Sequence, residues 1–429
     1  MCLTADRGRE EEVRVQAFEW YVGIDWGTQA HEFCLLRADG RLVGTRTVAH
    51  AADAIHDALR WVGEQTGASL TTIAVGVETR SGSLIDTLLE RGVPVFAINP
   101  KQLDRFRDRF TAGGAKDDRR DALALADGLR TDGPRAFRAV HPADPTVIEL
   151  RELSRMVDDL TEEIGRLTNR LREQLFRVDA AWLAFSPAAD EPWLWALLAD
   201  VPQPTAWASV TGRRLRAILR RHRIRRVQAE PMLDALRRPR LAVAPGVADA
   251  VARRVASLVA QLRLLDDQRR ASTHEIDRLL TALATAPPGE PQEHRDVEIL
   301  QSLPGVGRMV TATMLGEASA LLAARDHATL RAYSGSAPVT RRSGKRHFVH
   351  MRYACNRRLR NALYHWARTS IQWDAPARSY YDTLRSRGQS HARALRSVAD
   401  RWLRILIAML TARTLYDPAR LMKCAVTAA

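Results

Sequence analysis

Between residues 20 and 48 the chain carries three short runs of alternating apolar and polar positions, Tyr21 to Asp25, Glu32 to Arg37 and Leu42 to Val48, with the turn signal Ala38-Asp39-Gly40 between the last two. Period-two patterning over such short spans predicts a three-stranded meander. The period then changes. A helical pattern covers Ala51 to Thr66, followed by a strand over Thr72 to Glu78, a helix over Ser83 to Arg91, a strand over Val93 to Asn99 and a helix opened by Pro100, because proline at the first helical position costs no hydrogen bond. A further helix is expected over Asp118 to Arg130. Three antiparallel strands and then alternating helices and strands is the ribonuclease-H-like order, an α/β fold on a mixed sheet.

From Leu150 the pattern is different. Leu150, Leu153, Val157, Leu160, Ile164, Leu167, Leu171 and Val178 keep alternating three- and four-residue steps, with Gln174 where another apolar residue would fall. Such a heptad seam predicts a long helix with coiled-coil packing. Val251, Val255, Leu258, Leu262, Leu265, Ile276 and Leu279 form a second seam, interrupted at Arg269 and Ser272. The two can pair within one chain or across a dimer. After the linker Pro287-Pro288-Gly289-Glu290-Pro291, the remainder reads as helical except near 340 to 352.

Composition places the chain among globular proteins: 429 residues, 46% hydrophobic and 27% charged, enough for two to three domains. The net charge of +15 is unevenly spread. Residues 1 to 140 hold 19 Lys and Arg against 21 Asp and Glu, net −2, leaving 46 against 29, net +17, for the rest. An excess so segregated points to a polyanionic partner bound through counterion release. It is most concentrated at Arg213-Arg214-Leu215-Arg216 and Arg220-Arg221-His222-Arg223-Ile224-Arg225-Arg226, eight arginines in fourteen residues with no acid among them. Leu215, Ile218 and Leu219 make this an amphipathic basic helix suited to nucleic acid. It lies in a segment, 179 to 245, that also holds Trp182, Trp193, Trp195 and Trp207. Cys2, Cys34, Cys355 and Cys424 are too widely spaced for a zinc site or a disulfide framework. With a charged N-terminus, and with the late apolar run Leu403 to Leu410 broken by Arg404, a cytoplasmic protein without membrane spans is expected.

Against that basic background, four acids stand out. Asp25 and Glu78 end strand-like runs, while Asp118 and Asp121, three apart, share one face at the start of a helix. Carboxylates gathered at strand ends call for positive charge between them. Two Mg²⁺ ions about 4 Å apart supply it and suit phosphodiester chemistry. Asp117 stands four before Asp121 and competes with Asp118 either as ligand or as helix cap. Gly23-Ile24-Asp25-Trp26-Gly27-Thr28 also looks like the first phosphate loop of sugar kinases and actin-like ATPases, but the second phosphate loop and the adenosine motif those enzymes need do not follow.

Two later motifs suit phosphate. Leu303-Pro304-Gly305-Val306-Gly307 before the apolar helix Met309 to Leu315 reads as a helix-hairpin-helix turn whose Gly305 and Gly307 let backbone N–H groups meet a DNA phosphate. In Arg341-Arg342-Ser343-Gly344-Lys345-Arg346 a hydroxyl sits in a glycine turn among four cations. Ser343 there can hydrogen-bond a phosphate held by Arg341, Arg342 and Lys345, or act as a nucleophile whose developing charge those cations offset. Composition does not choose between the two.

Taken in order, Gly-Ile-Asp25, Glu78, Asn99-Pro100, Lys116-Asp117-Asp118-Arg119-Arg120-Asp121-Ala122, Leu303-Pro304-Gly305-Val306-Gly307, Gly335-Ser336-Ala337-Pro338-Val339-Thr340 with Ser343-Gly344-Lys345, and Cys355-Asn356-Arg357-Arg358-Leu359-Arg360 resemble the DEDD-type transposases of insertion sequences, the "IS one-ten" family. The resemblance runs from about residue 20 to about 418. It implies a RuvC-like (RNase H fold) DEDD domain over 1–140, coiled-coil helices over 141–285 with the Trp/Arg-rich insert at 179–245, and a C-terminal, mainly helical transposase domain over 286–429. By position it makes Asp25, Glu78, Asp118 and Asp121 the metal ligands and Ser343 the nucleophile that links to a DNA 5′ phosphate. It implies donor and target DNA and a guide (bridge) RNA as partners, dimerisation through the coiled coil, a tetrameric synapse, and action at the bacterial nucleoid. Asp117 departs from the pattern, standing where the family usually has Ser or Thr. The insert resembles the family's longer branch, so RNA contacts do not transfer there.

Two other readings fit the same residues. One is a RuvC-like nuclease cutting branched DNA by metal-activated water, without a covalent serine. The other is a non-catalytic architectural protein using the hairpin turn and the basic helix.

Overall fold

The computed structural model describes residues 18–79, 82–98, 103–104, 106, 117–133, 136–141, 144–239, 242–244, 246–285, 295–343 and 346–418. They form two compact units divided between Ala143 and Asp144.

In the first unit a mixed sheet is built from β1 (Trp20–Asp25), β2 (Ala30–Arg37), β3 (Leu42–Ala49), β4 (Ile73–Val77), β5 (Val95–Ala97) and β6 (Arg138–Val140), in the order β3-β2-β1-β4-β5-β6. The meander is antiparallel, whereas β1, β4 and β5 are mutually parallel. Alternation sorts side chains between two layers. Val22, Ile24, Phe33, Leu35, Val75 and Val77 pack with α1 (Ala52–Thr66) and α2 (Ser83–Glu90) on one face. Tyr21, Cys34, Leu36 and Ala74 meet α3 (Asp118–Asp132) on the other. This is the ribonuclease-H-like, RuvC-like arrangement expected. β6 was not foreseen: Arg138-Ala139-Val140 carries no strand pattern of its own and takes its form by pairing antiparallel along β5. The helix expected from Pro100 falls largely outside the described residues.

In the second unit the two heptad seams satisfy each other. α4 (Pro145–Val178) and α8 (Val247–Ala284) pack antiparallel: Leu150 and Val157 share a core with Ile276 and Leu279, while Ile164 to Val178 share another with Val251 to Leu262. The interruptions in the second seam fall between these two cores. There Asp266, 3% exposed, is gripped by Arg269 at 2.6 Å and Arg270 at 2.7 Å, and the Ser272 hydroxyl turns back to the Gln268 carbonyl. The apolar surface that would join two subunits through this seam is thus buried inside one chain.

At one end of the hairpin stand α5 (Pro192–Asp200), α6 (Gly212–Arg221) and α7 (Ala229–Arg237). The four tryptophans of the insert are its core, each at most 1% exposed. The Trp195 and Trp207 indoles donate to the carbonyls of Ala189 (2.8 Å) and Val201 (3.0 Å), which meets the polar requirement of a buried indole. The other end packs against α9 (Asp296–Ser302), α10 (Arg308–Ala323), α11 (His327–Tyr333), α12 (Arg357–Trp373), α13 (Ala375–Ser386) and α14 (His391–Ala412). A two-stranded ribbon, β7 (Val339–Ser343) and β8 (Arg346–His350), interrupts the helices where a non-helical segment was expected. Among the described residues no helix is long and apolar enough to cross a membrane.

Candidate catalytic and nucleic-acid-binding sites

Asp25 is the last residue of β1, and Glu78 follows β4 by one residue. The strands run parallel with Ile24 opposite Val77, so both acids stand one step further along neighbouring strands spaced about 4.8 Å apart. Asp25 shares a face with Gly23, and Glu78 shares one with Gly76. That is the face α3 covers, at backbone contact. A Cβ on Gly23 would fall well inside contact distance of the Ala122 carbonyl oxygen and 2.5 Å from the Ala126 nitrogen; one on Gly76 would stand 3.0 Å from the Leu125 carbonyl oxygen.

Two contacts fix the direction of α3. Near its start, the Arg119 guanidinium lies 3.8 Å from a Glu32 carboxylate oxygen, and Glu32 is the direct cross-strand partner of Asp25. Near its end, Arg130 donates to the Ala38 carbonyl at 3.4 Å, beside the point where Trp20 pairs with Arg37. The helix therefore runs antiparallel to β1, with its N-terminus at the end of the sheet that bears Asp25 and Glu78. Asp118 and Asp121 occupy its first turn, where peptide dipoles favour carboxylates. Asp121 is 2% exposed and directly precedes the Ala122 that rests on Gly23. Asp118 is exposed. Asp117 is the N-cap, accepting the Arg119 N–H at 3.2 Å.

The backbone thus carries Asp25, Glu78, Asp118 and Asp121 to one end of one sheet. Among the described residues, no three His, Cys, Asp or Glu side chains are drawn tightly enough to hold an ion. The donor set nonetheless consists of hard carboxylate oxygens from separate elements, which is what Mg²⁺ takes.

One acid escaped the sequence reading. Antiparallel partners share a face, so Glu32 projects beside Asp25, its side chain only 14% exposed, accepting the Thr47 hydroxyl at 2.5 Å and facing Arg119. The hairpin register between β1 and β2 was the signal that could have found it.

In the second unit, Ser343 ends β7 and pairs with Arg346, which puts it at the ribbon tip. Ser343 and Arg342 are exposed. Gly344 and Lys345 lie outside the described residues, and Arg341 occupies the ladder opposite Phe348. Phe348 and Val349, consecutive in β8 and so on opposite faces of the ribbon, are about half exposed.

α6 is anchored by buried Leu215 and Leu219, which leaves its arginines outward. Arg214 pairs with Asp200 at 3.0 Å, Arg216 with Glu230 at 2.6 Å, and Arg226 with Glu191. Arg213, Arg220, Arg221 and Arg225 are exposed and make no ion pair among the described residues. The cationic surface extends across α8: burial pushes the His222 imidazole below its ordinary pKa, helped by Arg221, Arg270 and Arg263.

The two glycines of the hairpin turn do different things. Gly305 has φ +81 and lies so close to α12 that a Cβ would stand 2.6 Å from the Ser370 nitrogen, while the Trp366 indole donates to the adjacent Pro304 carbonyl at 3.1 Å. Gly307 is the N-cap of α10 with open space where its Cβ would be. The turn is held from behind by α12, and its outer side, at the start of a helix, is accessible.

The Cys355-to-Arg360 motif proves largely architectural. Asn356 caps α12 by accepting the Leu359 N–H at 2.9 Å and donates to Glu317 at 2.7 Å. Arg155 of α4 also donates to Glu317, at 2.7 and 3.2 Å. Burial pushes the Glu317 carboxyl up, but hydrogen bonds from Arg155 and Asn356 outweigh it and hold the group below its ordinary pKa. Arg358 reaches Asp158 and Asp159 of α4 at 3.0 and 2.7 Å.

Comparison with known proteins finds two family matches, the first of which runs past the boundary between the units to the end of α4. A model of the IS110 DEDD transposase domain matches residues 22–178, and a model described as transposase, IS116/IS110/IS902 family, matches residues 297–382. The putative transposase y4uE of Sinorhizobium fredii is 46% identical over 212 residues, covering 49% of this chain and 59% of that protein. The mini-circle putative transposase for IS117 of Streptomyces coelicolor is 32% identical over 409 residues, 93% of this chain and 96% of the relative. An uncharacterized 43.6 kDa protein of insertion element IS110 from the same organism is 30% identical over 408 residues, 92% and 95% respectively.

Proposed function

The chain belongs to the IS110 family of DEDD transposases, and from that premise we propose that it cuts and rejoins donor and target DNA with an acidic metal site and a serine nucleophile, guided by a bridge RNA. The observation that carries the acidic half is the antiparallel seating of α3 across β1 and β4, which delivers Asp118 and Asp121 to the sheet end occupied by Asp25 and Glu78. Those four carboxylates are the proposed ligands of two Mg²⁺ ions, which when bound would offset charge on the reacting phosphate. Asp117 serves as the helix cap, leaving Asp118 as the ligand.

Ser343 is the proposed nucleophile. Its Oγ attacks the phosphorus, a bond from Oγ to the 5′ phosphate forms, and the bond from phosphorus to the 3′ oxygen breaks. The serine proton ends on the departing 3′ hydroxyl. Exposure at a ribbon tip, between Arg342 and Lys345 in sequence, gives the hydroxyl access to a DNA backbone and neighbouring positive charge. RNA and DNA phosphates are assigned to Arg213, Arg220, Arg221 and Arg225, with Arg214 held by Asp200, and to the Gly305-to-Gly307 turn. The proposed dimer and tetrameric synapse use surfaces other than the heptad seam, which is already buried between α4 and α8.

A strand-exchange assay with donor, target and the RNA that copurifies tests this reading. Asp25→Ala and Ser343→Ala are each expected to abolish exchange while nucleic-acid binding survives, and Ser343→Ala to remove the covalent protein–DNA adduct. Cleavage that persists in Ser343→Ala would instead favour a water-using RuvC-like nuclease. Loss of binding in both variants would assign the residues structural roles.

A further inference from the structure

Behind the base of the β7–β8 ribbon lies a cavity of about 480 Å³ that no catalytic assignment uses. Arg331, Arg352, Arg393, Arg396, Arg401 and Arg404 line it, with Asp400 the lone carboxylate among the described residues. Asp400 is already committed, gripped at both oxygens by Arg331 at 2.8 and 2.7 Å and approached by the Ser336 hydroxyl at 3.3 Å. The other five arginines make no ion pair among the described residues. Arg352 donates to the Ala337 carbonyl, Arg396 reaches the Met351 sulfur, and Arg401 lies 4.9 Å over the Tyr380 ring. Burial and the nearby charges of Arg393 and Arg360 push Arg396 below its ordinary pKa, the mark of a cation lacking its counter-charge.

A second lobe of about 250 Å³ shares Gly335, Ser336, Met351 and Arg396 with the first. Its wall is mainly apolar: Leu363, Leu395 and Ala399 line it with Tyr364, 40% exposed, and its polar side includes Asn361, Arg360 and the shared Arg396. A strongly cationic cavity adjoining a mainly apolar one, with Gly335, Ser336, Met351 and Arg396 between them and Tyr364 in the second lining, matches a phosphate joined to a flat, partly apolar ring. A base paired within a duplex cannot enter such a lobe.

We infer that this two-lobed cavity binds an unpaired nucleotide of a DNA or RNA strand, its phosphate among Arg393, Arg396 and Arg401 and its base against Tyr364 and Met351. The inference rests on the chain acting on nucleic acid, as proposed above. It places the strand at the root of the ribbon whose tip carries Ser343, four residue steps or about 14 Å along β7, so the cavity holds one part of a strand while the tip meets another.

The test measures binding of fluorescent single strands of about twelve nucleotides, as DNA and as RNA of one sequence, beside the matching duplex. Tyr364→Ala is expected to weaken single-strand binding about tenfold without changing its salt dependence, whereas Tyr364→Trp retains it. Arg396→Gln is expected to weaken it similarly and to flatten the salt dependence by about 0.7 in log–log slope, one phosphate. Arg387→Gln, the same charge change outside the cavity, should do neither. The tighter of the DNA and RNA arms names the source. Equal losses on duplex and single strand, or no loss in either variant, would overturn the assignment, as would a mononucleotide competing as well as the strand. Folding of the variants is bypassed by photocrosslinking a 4-thio-pyrimidine strand to the unaltered protein. Adducts at Tyr364 or Met351 are expected, and adducts confined to other residues sink the idea. Duplex binding by the unaltered protein separately tests the underlying reading, so its survival beside a failed single-strand result condemns this inference alone.

Discussion

Gly23 of β1 and Gly76 of β4 are register partners on adjacent parallel strands, and the backbone of α3 lies directly on both. Bare backbone at these two positions lets a helix sit lower on the sheet than side chains would permit. Its first turn thereby comes level with the strand ends, so the close packing and the grouping of acids share one cause.

Gly23→Ala is therefore expected to be far more damaging than Gly76→Ala. The first pushes a methyl into the Ala122 carbonyl and the Ala126 nitrogen, both rigid backbone, while the second needs only a few tenths of an ångström at Leu125. Overpacking costs of about 1–3 kcal/mol are usual; chemical denaturation should put Gly76→Ala within that range and Gly23→Ala beyond it.

Asp121→Asn retains the shape at a 2%-exposed position but removes the charge and replaces one acceptor oxygen with an N–H donor. DNA cleavage should fall about a thousandfold or more, as should cleavage by unaltered protein treated with EDTA, while gel-shift affinity for DNA changes little. Restoration of the EDTA-treated protein by Mg²⁺ completes the measurement.

Glu32 adds negative charge directly opposite Asp25. Glu32→Gln should raise the Mg²⁺ concentration for half-maximal cleavage severalfold, with the maximal rate at saturating metal largely kept. An unchanged metal dependence would reduce Glu32 to the partner of Thr47 and Arg119.

Arg220→Gln combined with Arg221→Gln removes two exposed cations that make no ion pair among the described residues. If both meet duplex phosphates, the log–log salt dependence of DNA binding flattens by about 1.8, with little change in sequence preference. Arg216→Gln, which loses a pair with Glu230, should have a smaller effect.

Glu317 links α4, α10 and α12 through Arg155 and Asn356. Its folded-state pKa is depressed, so its stabilisation is present above the unfolded value, about 4.3, and is lost as pH falls through the lower folded value. Glu317→Gln should cost about 2 kcal/mol at neutral pH, discounted from a fully buried pair because Arg155 is over a third exposed. Its stability should then fall less steeply than that of the unaltered protein as pH is lowered below about 4, which acid titration of unfolding can follow.

Much of this protein was legible in its sequence because the determining signals are local and periodic. Period two gave the meander, the heptads gave α4 and α8, the ordered motifs gave the family, and the spacing of Leu215 and Leu219 oriented the basic helix. What sequence could not supply was pairing. Val251 to Leu279 fits a partner helix of its own chain or of another equally well, and only the fold buried it against α4. Glu32 became a neighbour of Asp25 through hairpin register, β6 exists only as an edge on β5, and the arginine cavity gathers residues from α11, β8, α13 and α14. Local spacing dictates which face a residue occupies; which faces then meet is decided by close packing and long-range register, and those exist only once the chain has folded.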